Sequence, residues 1–128
     1  MNNKYIPGVC NIGNSESLKR RNVGIFGIIS TVSFSLLFFV FSVDPFFEFI
    51  IIFISLFYGI LGLFQSREHF CVYYSYMKEY NFSDSDETPV TVTDKNDSNT
   101  DIKRAANMIF KSAALSLIYT ILYTLITL

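Results

Sequence analysis

The chain has no tryptophan, one histidine, two cysteines and three prolines in 128 residues. A single histidine, His69, excludes a haem held between two imidazoles within this chain, so no haem is expected. The cysteines, Cys10 and Cys71, are not spaced as C-x-x-C, which removes the usual dithiol and zinc-ribbon signatures. There is no glycine-rich phosphate loop, no nucleophile elbow and no carboxylate pair in an apolar setting. No catalytic residue can therefore be named, and the sequence leans away from an enzyme. No ionisable residue lies at the centre of any long apolar stretch, which argues against a secondary transporter or proton relay.

Charge is missing from three long segments. Val23–Val43 carries none, Phe46–Phe64 carries only Glu48, and Ser112–Leu128 carries none. The first two are about long enough to cross a ~30 Å hydrocarbon core as helices, and Ala105–Phe110 lengthens the third. Lys111 can reach back to the nearby surface from within it. Lysine and arginine are also missing from the connection between the first two stretches, where Asp44-Pro45 sits. They fall instead at Lys4, Lys19-Arg20-Arg21 and from Arg67 onward. Short basic loops stay on the cytoplasmic side. The expectation is an all-α membrane protein with three transmembrane helices, a helical hairpin plus a third span. The N-terminus is cytoplasmic and the C-terminus outside.

The segments follow from this. Residues 1–22 form a cytoplasmic tail, with a turn around Pro7-Gly8 and a short basic helix over Glu16–Asn22 capped by Asn14 or Ser15. Spans cover 23–43 and 46–64, joined by a two-residue outer turn at 44–45. Pro45 suits the start of the second helix. Residues 65–82 contain no glycine or proline and are expected to continue the second helix or to lie along the interface. Phe70, Tyr73, Tyr74, Met77 and Tyr80 fall on one side. Residues 83–101 read as an acidic, flexible loop rich in Asp, Ser, Asn and Thr, with a weak strand signal at Pro89–Thr93. The third span occupies 102–128, its helix beginning near Asn99–Asp101. Asn81-Phe82-Ser83 and Asn96-Asp97-Ser98 match the glycosylation pattern but face the cytosol on this topology, so they stay unmodified.

Between lipid tails, helices associate by close packing and hydrogen bonds rather than by the hydrophobic effect. Small residues step along each span: Gly24, Gly27, Thr31 and Ser35; Ser55, Gly59 and Gly62; Ser112, Ser116, Thr120 and Thr124. They are candidates for helix packing or for contact with a partner. Lys19, Arg20 and Arg21 are placed to meet lipid headgroups. Cys10, His69 and Cys71 share one membrane face and are the only candidates for a metal or thiol-redox site. His69 and Cys71 lie on different sides of a regular helix, so that site needs a bend in the segment.

Two stretches together, Tyr5-Ile6-Pro7-Gly8-Val9-Cys10-Asn11-Ile12-Gly13 and Gly62-Leu63-Phe64-Gln65…His69-Phe70-Cys71-Val72-Tyr73…Asn81-Phe82, resemble a group of small bacterial membrane proteins of unknown function. The resemblance covers roughly residues 5–82 and implies a bacterial inner-membrane location. The expected role is a small, non-catalytic subunit or accessory factor of a larger inner-membrane complex. Its partners would be membrane lipids and another membrane protein or its own copies, with no nucleic acid. A membrane thiol-redox or metal-handling protein using Cys10, Cys71 and His69 is the alternative. An oligomeric channel lined by Ser, Thr and Tyr is a further one.

Overall fold

The computed structural model describes residues 4–83 and 88–128. Four helices and one small sheet follow in the order α1 (Asn14–Val40), α2 (Pro45–Glu68), α3 (Val72–Met77), β1 (Glu79–Tyr80), β2 (Val90–Thr91) and α4 (Lys95–Thr127). Helices α1, α2 and α4 are each long and apolar enough to cross a membrane. The chain is an all-α, multi-pass membrane protein with minimal sheet.

The basic segment does not form a helix of its own. It is the first part of α1, whose N-cap is Gly13, with no side-chain cap. Asn14 and Ser15 lie inside the helix instead, because the Gly13 carbonyl accepts from the Ser17 N–H at 3.0 Å and already supplies the first turn. The connection between the first two spans is also longer than two residues. α1 closes at Val40, so Phe41–Asp44 joins the spans. Asp44 caps α2 by accepting from the N–H groups of Phe46 and Phe47, with Pro45 at the first helical position,.

α2 does not continue through residues 65–82. It stops at Glu68, and His69 takes the left-handed conformation at φ 49°. The His69 N–H donates to the Ser66 carbonyl and the Phe70 N–H to the Gln65 carbonyl, the paired bonds of a Schellman cap,. Such a stop normally uses glycine. Here Phe70 drives it: the ring is fully buried in a cluster with Leu61, Ala105 and Met108, with Phe64 packed against it. Burying a phenyl ring is worth roughly 2 kcal/mol, more than the ~1 kcal/mol that a non-glycine residue loses in this conformation.

The chain then forms α3 and the two-stranded sheet, with Glu79 opposite Thr91 and Tyr80 opposite Val90. The segment expected as a loop over 83–101 includes β2 and the first turns of α4, and residues 84–87 of it lie outside the described residues. Asp94 caps α4 by accepting from the Asn96 and Asp97 N–H groups, so the helix begins at Lys95, several residues before the expected start. At 33 residues α4 is about 50 Å long,. Its uncharged part, from Ser112 on, is the spanning portion, and Lys95–Lys111 carries the charges.

The buried residues of the spanning parts of α1 and α4 are small or polar, α2 adds Ile52, Leu56 and Leu61, and most other large apolar side chains point outward, as a lipid solvent demands,. Gly24, Gly27, Thr31 and Ser35 are the buried face of the spanning part of α1, and Gly59 and Gly62 sit opposite on α2. The backbones touch there. A Cβ on Gly27 would lie 2.6 Å from the Gly59 Cα, and one on Gly62 would lie 2.7 Å from the Gly24 nitrogen. α4 packs along α2 through Ala105, Met108, Ser112, Ser116 and Thr120. Ser116 and Thr120 donate to carbonyls one turn back in their own helix, which keeps their hydroxyls satisfied. The Tyr123 hydroxyl ties α4 to α1 by donating to the Ser35 carbonyl at 2.7 Å.

Candidate functional site at the basic end

The N-terminal segment does not trail from the bundle. It threads between the end of α2, α3 and the start of α4, and Asn11 is its centre. The residue is 0% exposed. Its Oδ1 accepts from the Cys71 N–H at 2.6 Å, and its Nδ2 donates to the Cys71 carbonyl and the Ser75 Oγ, both at 3.0 Å. Its backbone N–H donates to the His69 carbonyl, and its carbonyl accepts from the Asn81 N–H at 2.9 Å. One amide side chain thus stitches the tail to the α2–α3 corner and to the strand region. Gly13 donates to the Asn81 carbonyl, and a Cβ there would press on the Phe82 backbone at 3.1 Å.

A second anchor lies nearby. Ile6 and Cys10 close a tight turn in which Gly8 adopts φ 67°, a conformation that favours glycine,. The turn aims the Gly8 N–H at Asp101 Oδ1, at 2.7 Å. The Tyr5 hydroxyl donates to Asp101 Oδ2 at 2.6 Å, and the Tyr5 ring stacks on Tyr80 with centroids 4.6 Å apart. Asp101 lies in the part of α4 that precedes the spanning portion. Burial raises its pKa above the usual carboxylate value, although the Gly8 and Tyr5 donors oppose the shift. Burial, then the hydrogen bond and charge of Asp101, push the Tyr5 phenol well up. A third link is the Arg104–Glu68 ion pair at 2.7 Å, with the guanidinium 5.9 Å above the Phe70 ring.

The bend that a joint Cys10, His69 and Cys71 site needs does exist, at His69. Asn11 occupies the junction it creates. Cys71 is 0% exposed and is the N-cap of α3, and burial raises its thiol above the usual range. Cys10 is buried and donates through Sγ to the Lys4 carbonyl at 3.4 Å. Both are free thiols. His69 contributes its backbone carbonyl, which accepts from Asn11 and Ile12. Among the described residues, no group of three or more His, Cys, Asp or Glu side chains is arranged to hold a metal ion.

The basic cluster divides. Lys19 pairs with the buried carboxylate of Glu16 at 2.8 Å, Arg20 lies 3.8 Å from the same group, and Arg21 is exposed. The small-residue stripes lie within contacts between helices of this chain. Ser55 donates to carbonyls of its own helix and meets Thr31, and Thr124 is half-buried with its hydroxyl enclosed. Sequence reasoning missed Asn11, Asp101 and Tyr5, since a lone asparagine, aspartate or tyrosine in a polar segment carries no spacing signal. It also left Glu48 as a residue of the outer interface. Glu48 is buried, with the Thr127 hydroxyl 3.5 Å away.

No protein-family model, curated protein or solved structure matches the chain.

Proposed function

We propose that this chain is a small, non-catalytic accessory subunit that docks a partner membrane protein through the extramembrane knot at its basic end. The observation that carries the reading is the α3 surface. Tyr73, Tyr76 and Met77 are 57%, 46% and 52% exposed on a short helix whose opposite side is fixed by Asn11 and Cys71. The knot builds no reactive group from its described residues: the Asn11 amide and the Asp101 carboxylate are held by partners within the chain, and burial raises the Cys71 thiol. An exposed aromatic patch on such a rigid support suits protein recognition, where tyrosine and methionine are enriched. The small-residue stripes are occupied inside the bundle, so docking falls to this patch and to the outward helix faces. On the positive-inside argument the knot faces the cytoplasm, and the resemblance over residues 5–82 suggests a bacterial inner membrane.

The test is site-specific photocrosslinking from Tyr76 in intact membranes. A discrete heteromeric adduct is expected, weakened strongly by Met77→Asp with unchanged helix content. Purification in mild detergent as a lone monomer, with crosslinks to lipid only, overturns the reading.

A further inference from the structure

A furrow runs between α1 and α2 from the basic end toward the middle of the spans. Its first section, about 400 Å³, is lined by Arg20, Val23, Tyr58, Leu61 and Gly62, with Tyr73 and Tyr76 at the mouth. A second section, also about 400 Å³, is lined by Val23, Gly27, Ser30, Phe34, Ser55 and Tyr58. Val23 and Tyr58 border both, so the two sections adjoin along the bundle surface. Gly27 supplies the floor because the backbones touch there, and Phe34 closes the inner end.

The two ends differ chemically. The inner section is almost wholly apolar. The outer one holds the Arg20 guanidinium, whose Nε is buried without a hydrogen-bond partner. The nearest carboxylate, Glu16, stands 3.8 Å from the Arg20 terminal nitrogen and gives its shorter contact, 2.8 Å, to Lys19. Arg20 therefore retains donors for an anion at the charged mouth. From Val23 to Phe34 is about 16 Å along the helix, half of a ~30 Å hydrocarbon core and so the depth of one leaflet. A glycerophospholipid joins an anion to apolar chains one leaflet long and so fits both ends.

We propose that the furrow binds one glycerophospholipid, with its phosphate on the Arg20 guanidinium and one acyl chain laid over Gly27 and Ser30. Arginine suits this contact because its planar fork meets phosphate oxygens in pairs. Tyr73 and Tyr76 border both this mouth and the docking patch, so the two sites adjoin, and lipid retention by the isolated chain reads the furrow alone.

Native mass spectrometry of the full chain, in micelles doped with phosphatidylglycerol or with phosphatidylcholine, tests this. One lipid per chain is expected to survive activation that strips the remaining adducts. Both lipids carry the phosphate, so both should be retained, phosphatidylglycerol more strongly. Arg20→Gln is expected to cut retention about tenfold, the scale of one charge-assisted hydrogen bond, while the exposed neighbour Arg21→Gln leaves it unchanged. Ser30→Phe leaves the Arg20–Glu16 contact intact and fills the furrow. It should lower retention equally, which keeps the test decisive if Arg20→Gln fails to fold. Equal retention in all variants, equal loss in Arg21→Gln, or no retained lipid in the wild-type chain each overturns the proposal.

Discussion

Truncating Asn11 to alanine removes three side-chain hydrogen bonds at once and leaves the Cys71 N–H buried without a partner, while the Cys71 carbonyl keeps the Ser75 N–H and hydroxyl. A buried group without a partner costs about 1–3 kcal/mol, so Asn11→Ala should lower the stability of the knot by about 2 kcal/mol. Hydrogen exchange of residues 69–82 measures this directly, and amides in the spans should keep their protection. Cys71 makes a chemical prediction. Enclosed and held protonated, it should react with iodoacetamide far more slowly than the same thiol in denaturant,. The linkage sign is fixed by the direction of the shift. In neutral solution the folded and unfolded chains both keep the proton, so the thiol leaves stability unchanged. Above about pH 8.5 the unfolded thiol ionises while the buried one resists, so stability falls as pH rises. A Cys71→Ser variant should lose that alkaline slope, read from melting temperature against pH.

The hairpin of α1 and α2 depends on backbone contact at four glycines. Gly27→Leu has no room, because even a Cβ would meet Gly59 at 2.6 Å. It should separate the helices, visible as the loss of a disulfide engineered between Thr31→Cys and Ser55→Cys, whose hydroxyls lie 3.2 Å apart. At the other end of α2, the His69 cap predicts the opposite sign. His69→Gly should stabilise the chain by up to about 1 kcal/mol, because glycine enters the left-handed region without strain. His69→Val should destabilise it. A side chain that ligated a metal would instead make every substitution costly, so the melting temperatures of the two variants separate a cap from a ligand.

Three membrane-length helices in one chain place its two ends on opposite sides if all three cross. A membrane-impermeant maleimide should therefore label Ser42→Cys and Leu128→Cys from one side and Asn14→Cys from the other, in a background where Cys10 and Cys71 are replaced by serine. Burial of Glu48 among Phe38, Pro45 and Thr127, with every lysine and arginine elsewhere in the chain, marks the hairpin end as the costly one,.

The three membrane-length helices and their small-residue faces are legible in the sequence. Lipid insertion depends on local length and apolarity, and helix contact in lipid depends on side-chain size, both of which are written position by position. The sequence also led to the expectation that Cys10, His69 and Cys71 share one membrane face. Only the tertiary structure decided what happens there. The break at His69 follows from Phe70 gaining burial against α4, a contact between segments far apart in the chain. Asn11, rather than Cys10, fills the junction because an amide can satisfy a carbonyl, a hydroxyl and an N–H together, whereas a thiol cannot. The early start of α4 follows from a local cap at Asp94, which composition disguised as a loop, and from the anchoring of Asp101 by Tyr5 and Gly8, which no local pattern encodes.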